Sequence, residues 1–383
     1  GKTFTIDLGG KTLTGRTNIK HGNVTFKNGN IVGGNLQALN VYGSLESTAT
    51  NYSVVTVDSD VTVTAEVFGV CLFGPVYNSN DGYGAGIDVK GTITTTKNSS
   101  SNEGAVFVSG NLGGGKNDET QTAMEVKNFV NISGTVTSAS DAALALQGSA
   151  TATITGTLTG NTGIAAKRGK LIVKENAVIT GNGACVGNPA SNGNGTELTG
   201  SAVSASSTYG QKLTIDLQGG TYTSAAYTIL NNAVDDACTF NISGGRYEST
   251  KSGDGIAVYA RLGSVNITGG IFNNTSNSEA TLHVGCPTAA TDGLQPKLTI
   301  SGNNTVVKNN ASGNYTYGGK PLVVNMANQL TYKAVEISGG KFYYRDPSKD
   351  DNVAEPNGNF LKDDFSVSGD ETSGWTVVSA KQN

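Results

Sequence analysis

Few side chains in this sequence of 383 residues are of types that do acid–base or metal chemistry, and those few are scattered. The two histidines, His21 and His283, stand far apart, so imidazole catalysis has little to work with. Adjacent acids occur as Asp235-Asp236, Asp350-Asp351 and Asp363-Asp364. Inverting hydrolysis needs two carboxylates held roughly 6.5–9.5 Å apart around a water, and neighbouring acids in a turn do not supply that. Calcium takes roughly six or more oxygens. Asp58 and Asp60, between Val57 and Val61 and without a basic partner nearby, are the closest approach to an acid strand. Cys71, Cys185, Cys238 and Cys286 form no CxxC pair, which argues against zinc. They read as buried thiols, with Cys238–Cys286 the one pairing to check. The expectation is no catalytic residue, no metal and no cofactor.

What recurs instead is Val, Ile, Thr and Gly. The 53 glycines are about twice the usual share. With only 15% charged residues the chain lacks the composition of disorder, so Gly must punctuate short strands. The formal net charge is -4 and no basic stripe is visible, so nucleic acid is not an expected partner. No run of about eighteen apolar residues suggests a membrane span. No signal peptide is visible, and Gly1–Phe4 is already strand-like.

Internal repeats settle the architecture. Leu217–Tyr222, Ile242–Tyr247, Ile267–Phe272 and Ile337–Phe342 share one pattern: aliphatic, polar, Gly, Gly, any residue, aromatic. Gly219, Gly244 and Gly269 are spaced by 25 residues. Looser copies occur at Leu8-Gly-Gly, Phe26–Ile31, Val89–Ile93, Ile132–Val136, Ile154–Leu158 and Ile300–Gly302. Within one period, Arg246–Ser249, Ile256–Ala260 and Ser264–Thr268 each alternate apolar and polar residues, which is strand periodicity. One coil of three short strands cannot bury its inward face, but stacked coils can. Glycine at the mark supplies a positive φ or a tight bend, and Asn28 is the next most tolerant residue in its place. The spacing predicts an all-β, single-stranded right-handed parallel β-helix over residues 1–345, about twelve coils. Residues 346–383 are expected to be a hairpin-like cap of the same domain, built from Phe365–Ser368 and Trp375–Val378. The N-terminus shows no comparable cap. Projecting loops are expected near 74–84, 97–103, 111–121, 183–211, 285–296 and 303–320.

These coils resemble the pectin-lyase-like superfamily. The I-[ST]-G-G-x-[FY] runs, followed by Asp346-Pro-Ser348 and Trp375-Thr-Val377, more narrowly resemble cell-surface proteins of gut bacteria. That resemblance implies the fold more than a function, since the scaffold carries lyases, hydrolases, adhesins and tailspikes. Hydrolases of the superfamily carry NTD, DD, GHG and RIK segments. Here no GHG follows Asp235-Asp236, and Arg261 is followed by Leu-Gly. No acid cluster with a basic partner matches a calcium-dependent lyase.

Binding is the better expectation. Aligning Tyr227–Asn231, Ala257–Arg261, Thr281–Gly285 and Pro321–Asn325 puts Val258, Leu282 and Leu322 inward. Ile229, Tyr259, His283 and Val323 then form an outward ladder, with Asn231 and Arg261 beside it and Asp235 and Asp236 on the flanking corner. Aromatic faces edged by amides and charges suit sugar rings, although ordinary cross-strand packing selects similar residues. The resulting expectation is a monomeric extracellular bacterial surface protein, adhesin-like or glycan-binding, that meets a polysaccharide or host surface glycan without catalysis. A polysaccharide lyase or glycoside hydrolase is the alternative, and a phage tailspike-like fibre segment the second.

Overall fold

In the computed structural model, the described residues are 2–43, 53–73, 84–97, 104–109, 128–184, 198–206, 212–225, 227–232, 238–250, 255–275, 280–285, 296–309, 322–325, 334–343, 347, 360–370 and 374–382. They form a parallel β-helix with no helical segment among them. Three long sheets run the length of the stack, each coil giving one strand to each sheet in turn. The first sheet has twelve strands, which at about 4.8 Å per spacing makes a stack about 53 Å long.

Pairing is parallel until the end. There Trp375–Ala380 joins the second sheet antiparallel to Lys341–Tyr343 and to Phe365–Asp370. This is the expected hairpin. Val378 and Phe360 enter the core with it, so the hairpin covers the apolar end of the last coil. Phe4 and Ile6, the first members of the inward columns, are 48% and 40% exposed.

Because strands pair in register, equivalent residues stack into columns. In the first sheet Val55, Ile87 and Val130 form one inward column and Val57, Val89 and Ile132 another. In the second sheet Ile31, Val63, Ile93, Val136, Leu158 and Ile179 line the core, and the column then turns aromatic. Tyr222, Tyr247 and Phe272 stack with ring centroids 4.6 and 4.8 Å apart, close to one strand spacing. The repeat mark therefore places its aromatic residue inside, directly over the copy before it. Each tyrosine hydroxyl turns back to its own mark: Tyr222 donates to the Gly219 carbonyl at 2.8 Å and Tyr247 to the Gly244 carbonyl at 2.7 Å. Burial pushes both phenols well above their ordinary pKa.

The two glycines of the mark do different work. The second takes the positive φ: 90° at Gly220, 100° at Gly245, 116° at Gly270 and 107° at Gly340. The first needs space instead. A Cβ on Gly244 would sit 2.7 Å from the Gln218 carbonyl oxygen of the preceding coil, and one on Gly269 2.5 Å from that of Ser243. In the Phe26–Ile31 copy the roles shift, and Asn28 holds φ at 56°.

A second constraint lies at the corner entering the third sheet. One position there reads Ala38, Gly69, Ala105, Ala143, Gly163, Ala202, Thr228, Ala257 and Thr281 in successive coils, each just before a paired core residue. All are small and buried. A Cβ on Gly163 would meet the Ile179 side chain at 2.6 Å and the Ala202 carbonyl at 2.5 Å. The bend is too sharp there for a larger side chain.

Two expected loops contain strands. Val203–Ala205 completes a third-sheet strand inside 183–211, and Thr305–Asn309 a second-sheet strand inside 303–320. The first was hidden because its corner residues are small rather than alternating. The second was hidden because Thr305-Val-Val-Lys lacks the aromatic mark. Much of the other expected loops lies outside the described residues, as do Cys185 and Cys286. Cys238 is buried in the main core, and Cys71 in an apolar cluster with Phe68 and Phe107 outside the third sheet.

Candidate functional site

The third-sheet ladder forms with one correction. Val258 and Leu282 point inward, as expected, and Tyr259, His283 and Val323 share a register. Their partner in the preceding coil is Leu230, not Ile229, which pairs with Val258 in the inward column. A slip of one residue exchanges the two faces of a strand. It also moves Asn231 off the ladder: Asn231 pairs with Ala260 in the inward column and is fully buried, and its amide donates to the Ser264 carbonyl at 3.5 Å. The slip arises because Arg261 is an extra residue, bulged out between Ala260 and Leu262. The Arg261 guanidinium donates to the Asn232 side-chain oxygen. Tyr259 lies edge-on to Tyr227 at 5.1 Å and against His283 at 4.8 Å. It is half-buried and packs against the cluster of Tyr227, Leu230 and Ile256. Asp235 and Asp236 lie outside the described residues.

The acids near Asp58 are turn residues. The Asp58 carboxylate accepts from the Ser59 backbone N–H at 2.9 Å and its carbonyl from Val61, closing the bend between first and second sheets. Among the described residues, no group of three or more His, Cys, Asp or Glu could hold a metal ion. They contain no helix long and apolar enough to cross a membrane.

A different surface collects side chains of the kind that bind. On the outer face of the second sheet, two columns run through the last coils onto the cap. One reads Arg246, Ile271, Val306, Lys341 and Val377; the other reads Glu248, Asn273, Lys308, Tyr343 and Trp375. The first column, with Lys308 and Trp375 of the second, lines a groove of about 550 Å³. Ile271, Val306 and Val377 make its apolar floor, Trp375 stands at the cap end, and Arg246, Lys308 and Lys341 bring cationic groups to it. Trp375 is the single tryptophan of the chain, 37% exposed, and its ring is held 4.8 Å from that of Tyr343. Arg246 pairs with Glu248 at 3.2 Å.

Reading strands one at a time misses this groove, because Trp375 belongs to the cap and joins the sheet from the opposite direction. One signal was present. Upstream the same columns are nearly all threonine, with Thr62, Thr92, Thr135 and Thr157 in one and Thr64, Thr94, Thr137, Thr159, Thr180 and Thr223 in the other. Val32 and Val178 interrupt them singly, and the continuous run of Arg, Ile, Val and Lys begins at Arg246. No protein-family model, curated protein or solved structure matches this chain.

Proposed function

We propose that this chain is a non-catalytic, glycan-binding part of an extracellular bacterial surface protein built on the pectin-lyase-like plan. The observation that carries the reading is the groove at the cap end of the second sheet. A half-exposed Trp375 indole beside an aliphatic floor offers an apolar face to the C–H side of a sugar ring, and flanking polar heads address its hydroxyls. The surrounding frame is rigid, because each floor residue sits on a strand paired on both sides. A site on fixed strands loses little conformational entropy on binding.

The test is a screen of wild type and Trp375→Ala against immobilised neutral and acidic polysaccharides, with release of reducing or unsaturated ends measured in parallel. Retention by wild type, a loss of about tenfold or more in Trp375→Ala and no product release are expected. A Tyr259→Ala variant should bind like wild type. Product release would show an enzyme instead, and loss of binding in Tyr259→Ala alone would return the site to the third-sheet ladder.

A further inference from the structure

The charge of the groove runs against the charge of the chain. The whole sequence carries -4, yet the groove gathers Arg246, Lys308 and Lys341, and the carboxylate beside it in the neighbouring column is Glu248. Glu248 is already engaged by Arg246. Among the described residues no acid lies within ion-pair distance of Lys308 or Lys341. Resting on the glycan-binding reading, we propose that the ligand is an anionic glycan strand lying along the helix axis, its carboxylate or sulfate groups held by Lys308, Lys341 and Arg246.

The register gives the direction. Arg246 and Lys341 stand in one column three strand spacings apart, about 14 Å, with Ile271 and Val306 between them. An axial strand would meet a cation, an apolar floor, a second cation and then Trp375, in that order. A strand lying across the sheet would meet only one residue of each column. Lys308 stands one column over, beside Asn273. Asn273 is fully buried on this outer face, and neither of its amide atoms has a hydrogen-bond partner among the described residues. The upstream threonine columns continue the same flat track without charge, so binding should concentrate at the cap end.

The experiment measures retardation in native gels containing polygalacturonate, chondroitin sulfate or a neutral galactan, at low and at physiological salt. Wild type, Lys308→Ala/Lys341→Ala and Trp375→Ala are compared, with thermal unfolding as the check on folding. Expected are retention by one or both acidic polymers and none by the galactan, weakening with salt, and a loss of roughly tenfold or more in the double lysine variant. That variant should also flatten the salt dependence. Whichever acidic polymer binds identifies carboxylate or sulfate as the anion. Equal, salt-independent retention by the galactan would overturn the anionic class while leaving glycan binding standing. Retention unchanged in both folded variants would show that the groove is not the site. No retention by any polymer, or retention only of single-stranded DNA or anionic vesicles added as further arms, would overturn the glycan reading itself.

Discussion

The repeat mark makes one quantitative claim that a short mutant series can test. A carbon–oxygen contact becomes ordinary at 3.4 Å. A Cβ on Gly244 falls about 0.7 Å short of that against the Gln218 carbonyl, one on Gly269 about 0.9 Å short against Ser243, and one on Gly302 about 1.8 Å short against Thr268. In each case the obstacle is backbone of the preceding coil, which can yield only by prising strands apart. Overpacking of this kind costs about 1–3 kcal/mol, offset by about 0.4–1 kcal/mol because alanine stiffens the unfolded chain. Net losses of roughly 1–2 kcal/mol are expected for Gly244→Ala and Gly269→Ala, and above about 3 kcal/mol for Gly302→Ala. Gly270 is the contrasting case. Its Cβ would have 3.3 Å of room, but φ is 116°, so conformational strain of about 1–3 kcal/mol sets the loss.

The two mechanisms separate by side-chain size. At Gly269 valine should be far worse than alanine, whereas at Gly270 alanine already incurs most of the penalty. Urea unfolding followed by circular dichroism reports the whole stack, and Trp375 fluorescence reports the cap end. Coils in a solenoid are stabilised by their neighbours, so Gly302→Ala should melt the tryptophan signal first. If Gly302→Ala proves the mildest of the three, the coils do not approach as closely as the mark requires, and the steric account of the first glycine is wrong.

Two further outcomes follow from the core. The buried Tyr222 and Tyr247 phenols have raised pKa values, so the folded state favours their neutral form. That contribution is fully present below the unfolded-state value of 10.0 and is lost as pH rises from there toward the folded value. The urea midpoint should therefore fall above about pH 10, and fall less in Tyr222→Phe/Tyr247→Phe; identical slopes would show that other groups drive the alkaline transition. At the third-sheet corner, Gly163→Val should cost about 1–3 kcal/mol in urea unfolding. Ala165→Ser, two residues on in the outward column beside Ser204, should stay within about 0.5 kcal/mol. Comparable losses would mean that the corner tolerates bulk.

The fold was legible because its signals are local and repeated. The spacing of Gly219, Gly244 and Gly269 sets the coil, and alternation within Arg246–Ser249 sets the inward face. Registry between coils was not legible in the same way. The ladder error at Ile229 came from an extra residue, Arg261, which belongs to the bulge and not to the alternation. Nothing in the alternation of Ile256–Leu262 marks which residue is the extra one, because Ala260 is small enough to face either way. The small-residue corner was equally invisible strand by strand, since Ala105, Gly163 or Thr228 alone are unremarkable choices.

The groove shows where such a molecule writes its chemistry. Inward columns answer to packing, so their identities follow from volume: aliphatic to Ile179, aromatic at Tyr222, Tyr247 and Phe272, then Val307 and Phe342. Outward columns answer only to strand preference and water, which Thr satisfies, and Thr64, Thr94, Thr137, Thr159, Thr180 and Thr223 repeat it with little variation. Strand preference would equally accept Ile271 and Val306, but solvation would not favour Ile271 at 37% exposure with Val306 as its neighbour in the column. Solvation accounts for Lys308 and Lys341 taken singly, but not for the apolar strip of Ile271, Val306 and Val377 that they flank and that ends on Trp375. A sustained run of such changes, apolar and cationic together from Arg246 to Trp375, thus distinguishes a binding face from a solvated one that single exposed residues such as Val32 and Val178 interrupt. By the same measure the Tyr259 ladder, half-buried against Tyr227, Leu230 and Ile256, is accounted for by its packing.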